Sequence, residues 1–244
     1  MSTHIHLKHP PLREAAIHLQ LAEELPLSAA DSLRRIQLVG FDKVTPIKKS
    51  RFSFQLNIES PAQASVTSDE SDGYRHEFGD AARVVQFRRS AMTYSVLRGY
   101  SAWEEIKTST ITAWNEYIRV LEPVTVAQVA VRYINVIQVP IGVDYDAILT
   151  AGPRIPEKLP QLLNSFFHRV VIPFSEAEAT AVITQLPEPA TERNVPLVLD
   201  IEINAPCKAE GHSTVIWSRL EQLRDIKNLV FFSSLTEKAL ESYR

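Results

Sequence analysis

One cysteine, Cys207, stands in 244 residues. It can close no internal disulfide, and it excludes any metal site built from a cysteine cluster; the composition fits a reducing compartment. Glycine is scarce, seven against fifteen prolines. Phosphate cradles need glycine because a side chain would obstruct the backbone N–H groups that face the phosphate. The nearest pair, Gly73 and Gly79, has neither the G-x-G-x-x-G nor the G-x-x-x-x-G-K-[ST] spacing, so dinucleotide and P-loop sites are excluded. Apolar stretches such as Val129–Val131 and Leu229–Phe232 fall far short of the ~20 residues a bilayer requires. The segment Met1–Pro11 lacks the apolar core of a signal peptide, so a cytoplasmic location is expected. Neither sign of charge dominates: 29 acidic residues face 26 basic ones, a net charge of -3. A nucleic-acid binder normally carries a basic excess, so nucleic acid is not expected as a partner. H-E-x-x-H, G-x-S-x-G and H-x-E with C-x-x-C are absent too, which removes the commonest zinc and serine-hydrolase chemistries.

What remains is an ordinary globular composition, 45% hydrophobic and 23% charged. Segments of period 2 and period 3.6 alternate, which predicts an α+β fold of mainly antiparallel sheet with helices packed on one face. Pro10 and Pro11 open a first strand. Ser28 and Asp31 suggest a capping box for a helix with Leu33, Ile36 and Val39 inward and Gly40 as its cap. Arg51–Ile58 alternates Phe52, Phe54, Leu56 and Ile58 against polar residues. The polar run Glu59–Gly73 reads as a long loop. Strands at Tyr74–Phe78, Arg83–Arg88 and Met92–Leu97 then form a meander.

Ser101 with Glu104 reads as a second capping box, opening a long helix that Pro123 ends. Thr125–Val139 is apolar on both faces, which predicts a central strand covered on both sides. Gly142–Ser165 is expected to hold one or two helices with Ile148, Leu149, Leu159, Leu162 and Leu163 inward. Strands at Phe166–Phe174, Thr180–Leu186 and Pro196–Asn204 follow, then a helix at Ser213–Lys227 and a short one from Thr236. The order suggests an internal duplication of a helix, three or four strands and a helix, without a residue-level repeat to support it. The expected halves are 1–140 and 141–244, within one compact unit or as two.

Four local patterns carry a resemblance: Pro10-Pro11-Leu12-Arg13-Glu14-Ala15, Tyr100-Ser101-Ala102-Trp103, Arg132-Tyr133-Ile134-Asn135 and Phe231-Phe232-Ser233-Ser234-Leu235-Thr236. In this order and spacing the chain resembles a sporadically distributed prokaryotic protein family of about this length. The family brings no activity, ligand or catalytic residue. Its sporadic distribution implies an accessory role of the phage-defence, toxin–antitoxin or mobile-element kind.

Arg132 sits in an apolar strand, where a guanidinium is costly unless a carboxylate or bound anion meets it. It is expected to be buried, either in an internal ion pair with Glu14, Asp200 or Glu202, or as the anchor of a small anionic-ligand or nucleotide pocket with Glu14, Tyr133 and Asn135 around it. Asp200 and Glu202 share one face of a strand, as the wet side of a sheet or as two of the carboxylates a metal-dependent nuclease would use. His4, His6, His9 and His18 crowd the start of the chain, but an unfolded ligand set loses affinity to ordering entropy, so no metal site is expected. Lys48, Lys49, Arg51, Arg88 and Arg89 are the basic clusters, read as a modest anion patch or as solvated strand ends. Trp103, Trp114 and Trp217 fall on or beside helical apolar stripes and are expected in the core.

The leading functional expectation is a non-enzymatic protein-interaction or regulatory component of an accessory system, with Phe231 and Phe232 as contact residues. No catalytic residue, metal or cofactor is expected. A homo-oligomer stays open.

Overall fold

A computed structural model describes the backbone of residues 7–55, 63–121, 123–161, 163 and 165–244, and the side chains of all of these except 50–69. Among the described residues there are nine strands and four α-helices. They are β1 (Leu12–Leu21), α1 (Ala29–Arg34), β2 (Phe41–Gln55), β3 (Gln63–Phe78), β4 (Arg83–Arg88), β5 (Ala91–Val96), α2 (Trp103–Arg119), β6 (Thr125–Pro140), β7 (His168–Phe174), β8 (Ala179–Pro187), β9 (Asn194–Glu210), α3 (Val215–Ser234) and α4 (Glu237–Glu241). The strands follow the order β2-β3-β4-β5-β1-β6-β9-β8-β7, and the β2-β3-β4-β5 and β9-β8-β7 pairings are antiparallel. This is an α+β fold built mostly of antiparallel sheet.

Contacts divide the chain into two compact units, one of residues 1–17, 128–207 and 213–244, the other of residues 18–127 and 208–212. No cut near residue 140 separates them, because β1, β6 and β9 each contribute residues to both.

In the second unit, α1 and α2 cover one face of the meander. His76, Val85, Phe87, Met92 and Tyr94 line that face, since His76 pairs with Val85, Phe87 with Met92 and Val85 with Tyr94. Phe87 stacks on Tyr117 of α2 at 5.7 Å, and Trp114 packs against Tyr117 at 5.3 Å. The Trp114 indole N–H donates to the carbonyl of Gly211 at 2.7 Å, and the Tyr117 hydroxyl donates to the carbonyl of Arg88 at 2.7 Å. Both polar groups are thus satisfied at no cost to burial. Trp103 joins the core as expected, while Trp217 is only partly buried.

In the first unit, α3 lies over the face of β6, β8 and β9 that carries Val131, Tyr133, Asn135, Ile183, Leu199, Ile201 and Ile203. Ile216, Leu220, Leu223, Val230 and Phe231 form the buried stripe of α3.

Several sequence expectations need correction. The run read as a loop is strand from residue 63 onward, because β2 supplies a pairing partner for each of its ends from Gln63 to Phe78; a paired neighbour outweighs a polar composition. Residues 56–62, which held the end of the predicted Arg51–Ile58 strand and the start of that loop, lie outside the described residues, as do His4, His6 and Leu162. Neither capping box forms. Ser28 makes no side-chain cap, and α2 starts at Trp103 after Ala102, leaving Ser101 to donate to Glu105. α1 ends at Arg34, and Val39 is fully exposed. Gly40 instead lies in the turn just before β2 at φ +82, where a Cβ would stand 2.3 Å from the Phe78 ring.

Gly142–Ser165 holds one short 3-10 turn, Tyr145–Ala147, and no α-helix among its described residues. Pro153, Pro156 and Pro160 withhold the donors that a helix needs. Leu159 is exposed. The sheet is also not covered on both sides at β6: Arg132 and Gln138 are exposed and Ile134 and Val136 half-buried.

Candidate functional site

β6 separates the residues that the sequence had grouped around Arg132. Period 2 sends Tyr133 and Asn135 to the face beneath α3, and Arg132 to the opposite, open face. Asn135 is buried and donates through Nδ2 to the carbonyls of Leu199 at 3.2 Å and Tyr133 at 3.4 Å, tying β6 to β9. The Lys227 ammonium lies 3.8 Å from the centre of the Tyr133 ring and donates to Asn228 Oδ1 at 2.7 Å. Burial of this amine, with Arg224 nearby, pushes its pKa from 10.5 down to about 7.

On the open face, Arg132 forks onto Asp200. Its Nε donates to Oδ1 at 2.9 Å and its Nη2 to Oδ2 at 2.6 Å. The pair is not deeply buried: 49% of the Arg132 side chain and 17% of the Asp200 side chain are exposed. The expected buried guanidinium is therefore corrected. With one face of the sheet open, the arginine reaches water and needs no cavity. Asp200 holds its pKa above the usual arginine value, with Glu202 and Glu14 adding to the same effect. Glu14, Arg132, Asp200 and Glu202 thus form one charge cluster over β1, β6 and β9.

The register extends that face outward. Thr184 pairs with Asp200, Val182 with Glu202 and Leu186 with Val198 across β8 and β9. Arg169 pairs with Thr184, and Val171 with Val182, across β7 and β8. Val171 is 52% exposed. The result is a helix-backed platform on which charged and aliphatic rows alternate. On the edge of the same unit, Arg13 binds Glu188 through two short hydrogen bonds, of 2.6 and 2.7 Å, which pull the Glu188 carboxyl below the usual carboxylate range.

The other predicted sites disperse. Phe231 is a core residue of α3, because that helix runs on past Lys227 to Ser234; Phe232 packs against it edge-on at 5.2 Å and is partly buried. Of the basic clusters, the Arg51 side chain lies outside the described residues, and Lys49, Arg88 and Arg89 are neutralised. Arg88 pairs with buried Asp72 at 2.8 Å, Arg89 with Glu24, and Lys49 with Glu24 at 3.3 Å. Asp200 is engaged by Arg132, and among the described residues no three His, Cys, Asp or Glu side chains converge as a metal site. Among the described residues, no helix is long and apolar enough to cross a membrane.

Two features escaped sequence reading. Lys227 falls four residues after Leu223 and seven after Leu220, on the apolar stripe of α3, and that spacing was its signal. The second is a cleft of about 580 Å³ formed by the irregular segment after β6, whose signal was its density of prolines.

No family model matches the chain, and no curated protein or solved structure proves similar to it.

Proposed function

We propose that the protein is a non-enzymatic binding component of an accessory system, of the defence or toxin–antitoxin type, and that it holds a protein partner on the open sheet face of its first unit. The observation that carries this reading is the one-sided platform: α3 covers one face of β6, β8 and β9, while the other presents Arg132–Asp200 beside exposed Val171. A sheet face that mixes aliphatic rows with charges already oriented by ion pairs has the composition of an interface core and rim. Glu14 and Glu202 add carboxylates that no lysine or arginine approaches within 4.0 Å among the described residues, so the partner offers aliphatic side chains flanked by lysine or arginine. The internal duplication belongs to the same proposal, with β2–β5 and α2 in one copy and β7–β9 and α3 in the other, the second copy having no opening α-helix among its described residues.

The test is co-purification of the tagged chain with the products of adjacent genes, followed by titration of any captured partner. Val171→Glu with Glu202→Lys reverses the character of the face at exposed or half-exposed positions. Binding should fall at least tenfold while far-UV circular dichroism stays unchanged. Undiminished binding by this double variant, or the absence of any bound neighbour product, overturns the reading.

A further inference from the structure

The cleft after β6 lies apart from that platform's charge cluster and has walls of its own. Val139 and Pro140 from the end of β6, Val195 from the start of β9, and Tyr145, Ile155 and Leu163 from the irregular segment are the apolar members of a lining that is otherwise polar. Its volume of about 580 Å³ lies in the range of small-molecule sites.

The wall formed by residues 139–150 is pinned to the rest of the unit. The Ile141 N–H donates to the carbonyl of Arg193 at 3.1 Å, and the Thr150 N–H to that of Ser234 at 3.1 Å. Thr236 Oγ1 donates to the carbonyl of Ala147 at 2.8 Å, and Gln161 Nε2 to those of Leu159 at 2.7 Å and Pro156 at 3.1 Å. Tyr145 meets Phe166 edge-on at 5.1 Å, and burial holds its hydroxyl above the usual tyrosine pKa. A pre-formed cleft spares a ligand the cost of ordering it.

Three charges line the same cleft: Arg154, Asp144 and Asp146. One Asp144 oxygen accepts from the Asp146 N–H at 3.1 Å, which fixes the turn. Arg154 forms no ion pair with either carboxylate, although all three border one cavity. Opposite charges that leave each other unpaired in one cleft suit a ligand that carries both signs itself. Two carboxylates against one guanidinium give the cleft a net negative charge, which opposes phosphate dianions and nucleotides and favours a neutral zwitterion.

We infer that this cleft binds a free amino acid or short peptide, its carboxylate on Arg154, its ammonium at Asp146 and Asp144, and its apolar side chain against the apolar lining residues Tyr145, Ile155 and Leu163.

The test uses the full chain with leucine, phenylalanine and glycyl-leucyl-phenylalanine as probes, by isothermal titration and by chemical-shift changes at Tyr145. N-acetyl and C-amide forms of the tripeptide, AMP and inorganic phosphate serve as competitors. Saturable binding of at least one zwitterion is expected, weakened roughly tenfold to a hundredfold by blocking either terminus. Arg154→Gln should cause the same loss for the carboxylate and Asp146→Asn for the ammonium; both positions are exposed, so the fold tolerates them. Preference for AMP or phosphate, equal binding by Arg154→Gln, or no binding by any zwitterion overturns the assignment.

Discussion

Replacing Lys227 by methionine keeps an unbranched stem over the Tyr133 ring and removes the amine. In the folded chain that amine protonates near pH 7, and in the unfolded chain near 10.5. Two contacts favour its charged form, the ring at 3.8 Å and Asn228 Oδ1 at 2.7 Å. Desolvation outweighs both, since a ring contact returns only about 1–2 kcal/mol. Between pH 7 and 10.5 the unfolded state holds a proton that the folded state lacks, so wild-type stability rises with pH through that window and the cost is complete below it. At 1.36 kcal/mol per pH unit, the full span is about 5 kcal/mol. From pH 6.5 to 9.5 the gain is about 3 kcal/mol. The methionine variant has no such titration. Urea unfolding of both proteins at pH 6.5, 8.0 and 9.5 isolates the effect, because all other groups are shared. The variant should be the more stable at pH 6.5, and its advantage should shrink by about 3 kcal/mol by pH 9.5. Curves that stay parallel across this range would refute the assignment of a buried amine at Lys227.

Trp114→Ala removes a fully buried ring and orphans the Gly211 carbonyl, so a loss of about 3–5 kcal/mol is expected, with Tm lowered by roughly 10 °C in a thermal scan. Gly73→Ala places a Cβ 1.9 Å from the Phe87 carbonyl oxygen at φ +150, and should abolish the β3–β4 pairing. Gly99→Ala, at φ +71 with nothing within 4 Å, should cost only about 1–2 kcal/mol; hydrogen exchange on both variants separates the two cases. Asp200→Asn leaves Arg132 half in water, so chemical denaturation should register a loss of about 1 kcal/mol or less. A loss above about 3 kcal/mol would mean that the pair behaves as a buried one.

The strands and helices were legible where a single period held. The α2 stripe through Trp103, Ile106, Thr110, Trp114 and Tyr117 is buried throughout, and α4 begins at the Thr236 cap, whose Oγ1 accepts from the Ala239 N–H at 3.2 Å. Pairing was not legible. Residues 63–72 look like a loop in isolation and are strand only because β2 faces them. Nor could composition tell which side of β6 a helix covers. Ile134 and Val136 read as core, yet they lie half-exposed beside Arg132, and that one error produced the expected pocket. Aliphatic residues are common on solvent-facing sheet, so apolarity marks burial less reliably than the reverse. The ion pair of Arg132 was foreseeable as one of three partners; only the fold selects Asp200, by setting β6 beside β9.

The patchwork make-up of the two units dictates a timetable for biosynthesis. The second unit is complete only with residues 208–212, and the carbonyl that satisfies Trp114 belongs to Gly211. The first unit needs residues 213–244 to cover its sheet. Neither unit can therefore close while the ribosome is still making the middle of the chain. The nascent meander can pack against α1 and α2 early, but the Trp114 indole N–H must wait 97 residues for the Gly211 carbonyl that satisfies it.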